Sequence, residues 1–65
     1  MIIEINSMIL LTLSENYYIE RIGVNYFNLI KKIKGYYYPT DDLCLKAAIG
    51  LCIKYNIDYN LLFSI

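Results

Sequence analysis

Gly23 sits between two segments rich in apolar residues, and its position constrains the fold more than any other feature of the chain. The stretch LSENYYIERIGVNYFNLIKKIKGYYYP, Leu13 to Pro39, reads as a helix, a tight turn at Ile22-Gly23-Val24 and a second helix. A glycine between two helices adopts a left-handed conformation without a Cβ clash, so the chain can turn sharply and bring two apolar faces together at a steep angle. Ser14 is placed to cap the first of these helices, with Tyr17 and Tyr18 opening its apolar face and its end near Ile22. Asn25 caps the second, which spans Tyr26 to Lys34 and stops at Gly35, a residue suited to a left-handed C-terminal position. Lys31, Lys32 and Lys34 fall in its last turns, where positive charge complements the helix dipole.

Around this centre the remaining chain divides into short elements. Residues from about Ile2 to Leu11 fit either a helical stripe, through Ile3, Ile5, Met8, Ile9 and Thr12, or a strand at Met1 to Ile5 able to pair across a dimer. Tyr36-Tyr37-Tyr38-Pro39 forms a non-helical link, because a residue before proline is pushed toward extended conformations. Thr40 or Asp41 then caps a long helix in which Asp42, Lys46, Gly50 and Lys54 make a thin polar stripe and nearly everything else, to Tyr55, is apolar. Such a helix is expected to be covered on most sides. Asn56 suits a left-handed helix end, and Asp58 a cap for a last short helix over Tyr59 to Phe63.

With 65 residues there is room for one domain, 1–65, near the lower size limit for folding without metal or disulfide. Six basic residues balance six acidic ones and there is no histidine, which removes the net positive charge that usually marks a nucleic-acid binder. The positive charge is nonetheless clustered at Lys31, Lys32 and Lys34. A hydrophobic fraction of 58% and a mean hydropathy of +0.42 exceed what so small a monomer buries comfortably, and a homodimer or a protein partner would use the excess. The longest uninterrupted apolar run, Met8 to Leu11, is far short of the roughly 20 residues that span a bilayer, and the N-terminus lacks the pattern of a secretory signal. The expectation is therefore a cytoplasmic protein without membrane contact. Cys44 and Cys52, eight apart on the expected long helix, are too distant for a disulfide with each other and read as buried free thiols. No histidine supports a metal site, and no Gly-rich phosphate cradle or defensible catalytic pair is present, so neither an enzyme, a cofactor nor a small-molecule substrate is expected.

Leu13, Ser14, Tyr18, Ile22, Gly23, Val24, Leu29, Gly35 and Pro39, together with the ending NIDYNLLF, fall at spacings that resemble the small phage-repressor family named after the lambda repressor, Cro and Xre proteins. The resemblance runs from Leu13 to Phe63. It implies an all-α, five-helix helix-turn-helix domain, with a short N-terminal strand as the variant. It further implies a dimeric regulator that lays helix 25–34 in the major groove of double-stranded DNA, two copies occupying half-sites about one helical turn apart. The groove-facing residues carried over are Asn25, Tyr26, Phe27, Asn28, Ile30, Lys31 and Lys34. Asn25 or Asn28 would pair with adenine, Lys31 or Lys34 would reach phosphate or guanine, and Tyr26 or Phe27 would touch a thymine methyl.

The chain departs from that pattern where DNA contact is made. Glu15 stands in a slot that usually holds glutamine, Ile19 replaces a small residue between the helices, and Ile30 has no partner in a groove. An exposed Tyr26, Phe27 and Ile30 flanked by lysines equally describes a protein-binding face with aromatic anchors. The alternative expectation is a helix-turn-helix fold used on a protein, such as a phage-encoded inhibitor of a host defence complex, an anti-CRISPR protein being one example, or an antirepressor. A third is a structural homodimer subunit of a larger assembly.

Overall fold

A computed structural model describes all residues from Met1 to Ile65. The chain forms five strands, β1 (Ile2–Ile5), β2 (Met8–Thr12), β3 (Tyr17–Arg21), β4 (Tyr26–Ile33) and β5 (Tyr36–Cys44). One helix, α1 (Leu45–Lys54), and a 3-10 helix (Tyr59–Phe63) follow. The strands make one antiparallel sheet in the order β1-β2-β3-β4-β5, each beside its neighbour in sequence. This overturns the all-α, five-helix expectation and with it the helix-turn-helix reading. The strand alternative at the N-terminus is the one realised.

The physical reason lies in the turns and in two-sided burial. Asn6 and Ser7 (φ 52° and 67°) and Lys34 and Gly35 (φ 52° and 82°) are pairs with positive φ, joining Ile5 to Met8 and Ile33 to Tyr36. Two consecutive residues of that kind make the hairpin turn whose twist matches the strands it connects. Gly35 does use its left-handed freedom, but to reverse a hairpin rather than to end a helix. The segment around Gly23 is a connection between β3 and β4, closed by Ile22 N–H and Gly23 N–H donating to the Tyr26 carbonyl at 2.9 and 3.2 Å. The inner strands are buried on both faces, so their apolar residues run together and the period of two that marks a half-buried strand is lost. Aromatic and β-branched content in Tyr17 to Ile19 and Tyr26 to Ile33 favours extended backbone all the same.

Alternation sorts the side chains into two layers. Leu11, Leu13, Ile19 and Phe27 face α1 and the 3-10 helix, where they enclose Ala48, Cys52 and Leu62. On the opposite face Leu10, Tyr18 and Ile30 form a smaller buried cluster, flanked by Ile3, Met8 and Tyr37, with no helix above it. The helix starts at Leu45, because Thr40 to Cys44 continue β5, so the cap at Thr40 or Asp41 is not used. It ends where Asn56 takes φ 61°, and Asp58 accepts from Asn60 N–H at 3.0 Å to open the 3-10 helix. Cys44 therefore ends a strand and is exposed, while Cys52 is buried under the sheet; both are free thiols. No helix is long and apolar enough to cross a membrane.

Burial pushes the Tyr18 phenol above its ordinary 10.0, with the neighbouring Tyr37 adding to the shift, and pushes the Cys52 thiol above its ordinary 9.0. Both groups keep their protons in the folded chain at a pH where the unfolded chain loses them. Their contribution to stability is complete below pH 9.0 and falls as pH rises past 9.0 and then 10.0. Urea midpoints measured against pH are expected to decline on that alkaline limb, and Cys52→Ala is expected to remove its lower part.

Candidate functional site: the basic, tyrosine-rich hairpin

β4 and β5 are the longest strands, at 8 and 9 residues against 4 or 5 for the others. β3 pairs with β4 only as far as Lys31, so the pairs Lys32 with Tyr37 and Ile33 with Tyr36 and the Lys34-Gly35 turn extend past it as a short hairpin arm. The register pairs Ile33 with Tyr36, Lys32 with Tyr37, Lys31 with Tyr38 and Ile30 with Pro39, and continues inward as Leu29 with Asp41. Thr40 is the extra residue of a bulge, and its Oγ1 donates to the Leu29 carbonyl at 3.0 Å. A bulge bends a strand and strengthens its twist. The outer half of the arm is thus turned relative to the inner half that packs on the core.

Each face of the arm interleaves lysine with aromatic rings. On one, the row Tyr17, Lys31, Tyr38 crosses three strands, and Lys31 Nζ lies 5.7 Å from the Tyr17 ring centroid. Ile33 and Tyr36 extend this row toward the turn. Tyr36, Tyr38 and Ile33 are 68%, 47% and 43% exposed, so each presents a large part of its apolar surface to solvent. On the other face Lys32 Nζ lies 5.6 Å from the Tyr37 centroid, and Tyr37 meets Tyr18 edge-on at 5.3 Å. The Tyr18 hydroxyl donates to the Glu15 carbonyl at 2.8 Å, and Lys32 N–H donates to the Asn16 carbonyl at 2.8 Å. These contacts fix the base of the arm to the β2–β3 turn and do not reach its tip at Lys34-Gly35.

The seven residues expected to face a DNA groove are not brought together. Residues 26–33 are a strand, so no recognition helix exists at 25–34 and insertion of one into the major groove is overturned. Phe27 is 0% exposed and Ile30 1% exposed; both are core residues, on opposite faces of the sheet. Asn25 lies in the β3–β4 connection and Tyr26 at the inner end of β4, about 26 Å from Lys34 at strand rise. Asn28 joins Pro39, Thr40, Asp41 and Asp42 in a shallow polar recess on the outer edge. Only Lys31 and Lys34 belong to the arm. Lys32, Ile33, Tyr36 and Tyr38 lie on the arm outside that set, and the lysine cluster and the tyrosine triplet on either side of Lys34-Gly35 are the sequence signal that marks them.

The charge balance also takes on a shape. Lys31, Lys32 and Lys34 lie toward the tip of the hairpin, whereas Asp41 and Asp42 lie on its inner half beside Asn28. A neutral total therefore conceals a basic end and an acidic flank. Protein-family models, curated proteins and solved structures were all compared with the chain, and none matches it.

Proposed function

We propose that the chain is a small non-catalytic binding module that docks the tip of its β4–β5 hairpin onto an acidic, partly apolar surface of a partner protein. The observation that carries this reading is the uncovered platform of Tyr36, Tyr38 and Ile33 beside Lys31. Tyrosines supply large contact area at small entropic cost, and they are enriched among the residues that dominate binding energy. The surrounding lysines steer an acidic partner and set its orientation. An exposed isoleucine has no use in phosphate contact, and a net charge of zero does not favour a polyanion; both count for a protein over a nucleic acid.

A displayed library of acidic peptides tests this directly. Wild-type protein is expected to enrich peptides that combine carboxylates with apolar residues. Tyr36→Ala with Tyr38→Ala should weaken the selected peptides at least about tenfold, as loss of aromatic anchors does. Lys31→Ala, Lys32→Ala and Lys34→Ala together should slow association and flatten its salt dependence. Labelled single-stranded and duplex oligonucleotides form the opposing arm. Binding to them that outcompetes every peptide, with a salt slope matching the three lysines, would replace the protein partner with a nucleic acid stacked on the tyrosines.

A further inference from the structure

The two edges of the sheet are built differently. β5 carries Pro39, the Thr40 bulge and the carboxylates Asp41 and Asp42, devices that keep an edge from pairing with another chain. β1, with the sequence IIEI, has none of them beyond Glu4. We infer that β1 is an interface for a second copy of this chain, joining two sheets into one continuous ten-stranded sheet.

The pattern of backbone bonding specifies the register. The two-residue turn makes Ile5 and Met8 a hydrogen-bonded pair, and the alternation repeats at Ile3 with Leu10 and at Met1, whose carbonyl accepts from Thr12 N–H at 2.8 Å. Ile2 and Glu4 therefore turn their N–H and C=O groups outward. Two antiparallel β1 strands about a two-fold axis must match like faces, which permits Ile2, Ile3 or Glu4 at the axis. Only Ile3 at the axis sets Ile2 opposite Glu4 of the second copy, both as hydrogen-bonded pairs, with four new backbone bonds. Centring on Glu4 would oppose two carboxylates, and centring on Ile2 would set no residue of β1, Ile2–Ile5, opposite Glu4. In the favoured register Ile3 meets its own equivalent and Met1 meets Ile5.

The side chains at this margin agree. A perpendicular two-fold axis puts both helices on the same face, and there Ile2 and Ile9 are 37% and 47% exposed. Phe63, 50% exposed, lies with its ring centroid 6.0 Å from the Arg21 guanidinium carbon, and the register extended one step puts Arg21 beside Ile9. On the opposite face, half-buried Ile3 and Met8 pack against the cluster of buried Leu10, and half-buried Ile5 lies opposite Met8. Pairing would make each of these strips continuous across the axis. Because β1 and β5 are opposite edges, the dimer would hold its two hairpins outward, with the outermost strands up to about 43 Å apart at the spacing of nine strand intervals, and would engage a repeated or dimeric partner at both ends.

Sedimentation equilibrium of the full chain should give the mass of two chains, insensitive to salt. Ile2→Pro removes an outward N–H that has no partner within the chain. It is expected to keep the circular dichroism spectrum and to weaken self-association about tenfold or more. In a Cys44→Ser background, oxidised Ile3→Cys should form a covalent dimer, since a non-hydrogen-bonded pair sets Cα atoms about 4.5 Å apart, within disulfide reach. Glu4→Cys, displaced from its own equivalent, should not. A monomer mass throughout, an unchanged dimer with Ile2→Pro, or equal linking at positions 3 and 4 would overturn the interface. None of these readouts depends on the hairpin's partner.

Discussion

Phe27→Ala unfolds the chain, or leaves it without a cooperative transition, in far-UV circular dichroism followed through a urea titration. Phe27 is the largest fully buried side chain and belongs to the helix-facing core. Truncating a buried phenylalanine costs about 3–5 kcal/mol, while a domain of this size seldom has more than about 3–5 kcal/mol from its single core. The expected loss equals the whole reserve. Tyr26→Ala, one residue away and 65% exposed in the native chain, supplies the contrast, with a change within about 0.5 kcal/mol. If Tyr26→Ala proved the more damaging of the two, the strand register of β4 would be wrong by one residue and every side chain on it would change face.

Ile30→Ser is the second large effect, and it tests the layer that no helix covers. Ile30 is 1% exposed although it lies on the open face of the sheet, shielded by Tyr18, Tyr37 and their neighbours. Removing a buried isoleucine costs about 2–5 kcal/mol, and a serine hydroxyl left there without a partner adds about 1–3 kcal/mol. A urea midpoint shifted by an amount typical of a surface residue would show that this cluster is not a second core. Ile30 also faces Pro39 next to the bulge, so a variant that survives folding should lose its hold on the hairpin arm. Its binding should then fall even though it touches no partner.

The sequence was most legible where a single residue has a strong local preference. Asn56 at the helix end and Asp58 as the cap of Tyr59 to Phe63 follow from backbone geometry and short-range hydrogen bonding, and both stand in the structure. Gly35 shows the limit of that kind of reasoning. Its need for positive φ is real, but a helix end and a hairpin turn share it, and only what flanks the turn separates them. Here the flanks are Ile33 and the tyrosine triplet, residues of strand character that also fit a helix end followed by a link. The pair Asn6-Ser7 poses the same choice, because residues from about Ile2 to Leu11 fit a helical stripe as well as a strand at Met1 to Ile5.

The candidate site suffered from the same error of period. On a helix, Phe27, Ile30, Lys31 and Lys34 share a face through spacings of three and four. On a strand, Phe27 and Lys31 share one face while Ile30 lies on the other. Clustering of Lys31, Lys32 and Lys34 survived the change because it depends on proximity along the chain alone. The partners of those lysines across the hairpin, Tyr36 to Tyr38, follow from the register that the two-residue turn at Lys34-Gly35 sets, and that register is legible only once the flanks are taken as strands.

The order of the strands has a kinetic meaning. Because spatial order equals chain order, each strand can settle against the one made just before it, and no segment has to wait for a distant partner to complete the sheet. Such a route closes only short loops and is intrinsically fast. The delay falls after β5: Leu11, Leu13, Ile19 and Phe27 stay wet until Ala48, Cys52 and Leu62 arrive. Chains interrupted near Cys44 would carry the strand residues with Leu11, Leu13, Ile19 and Phe27 uncovered, and exposed apolar surface of that kind is what makes such fragments prone to aggregate.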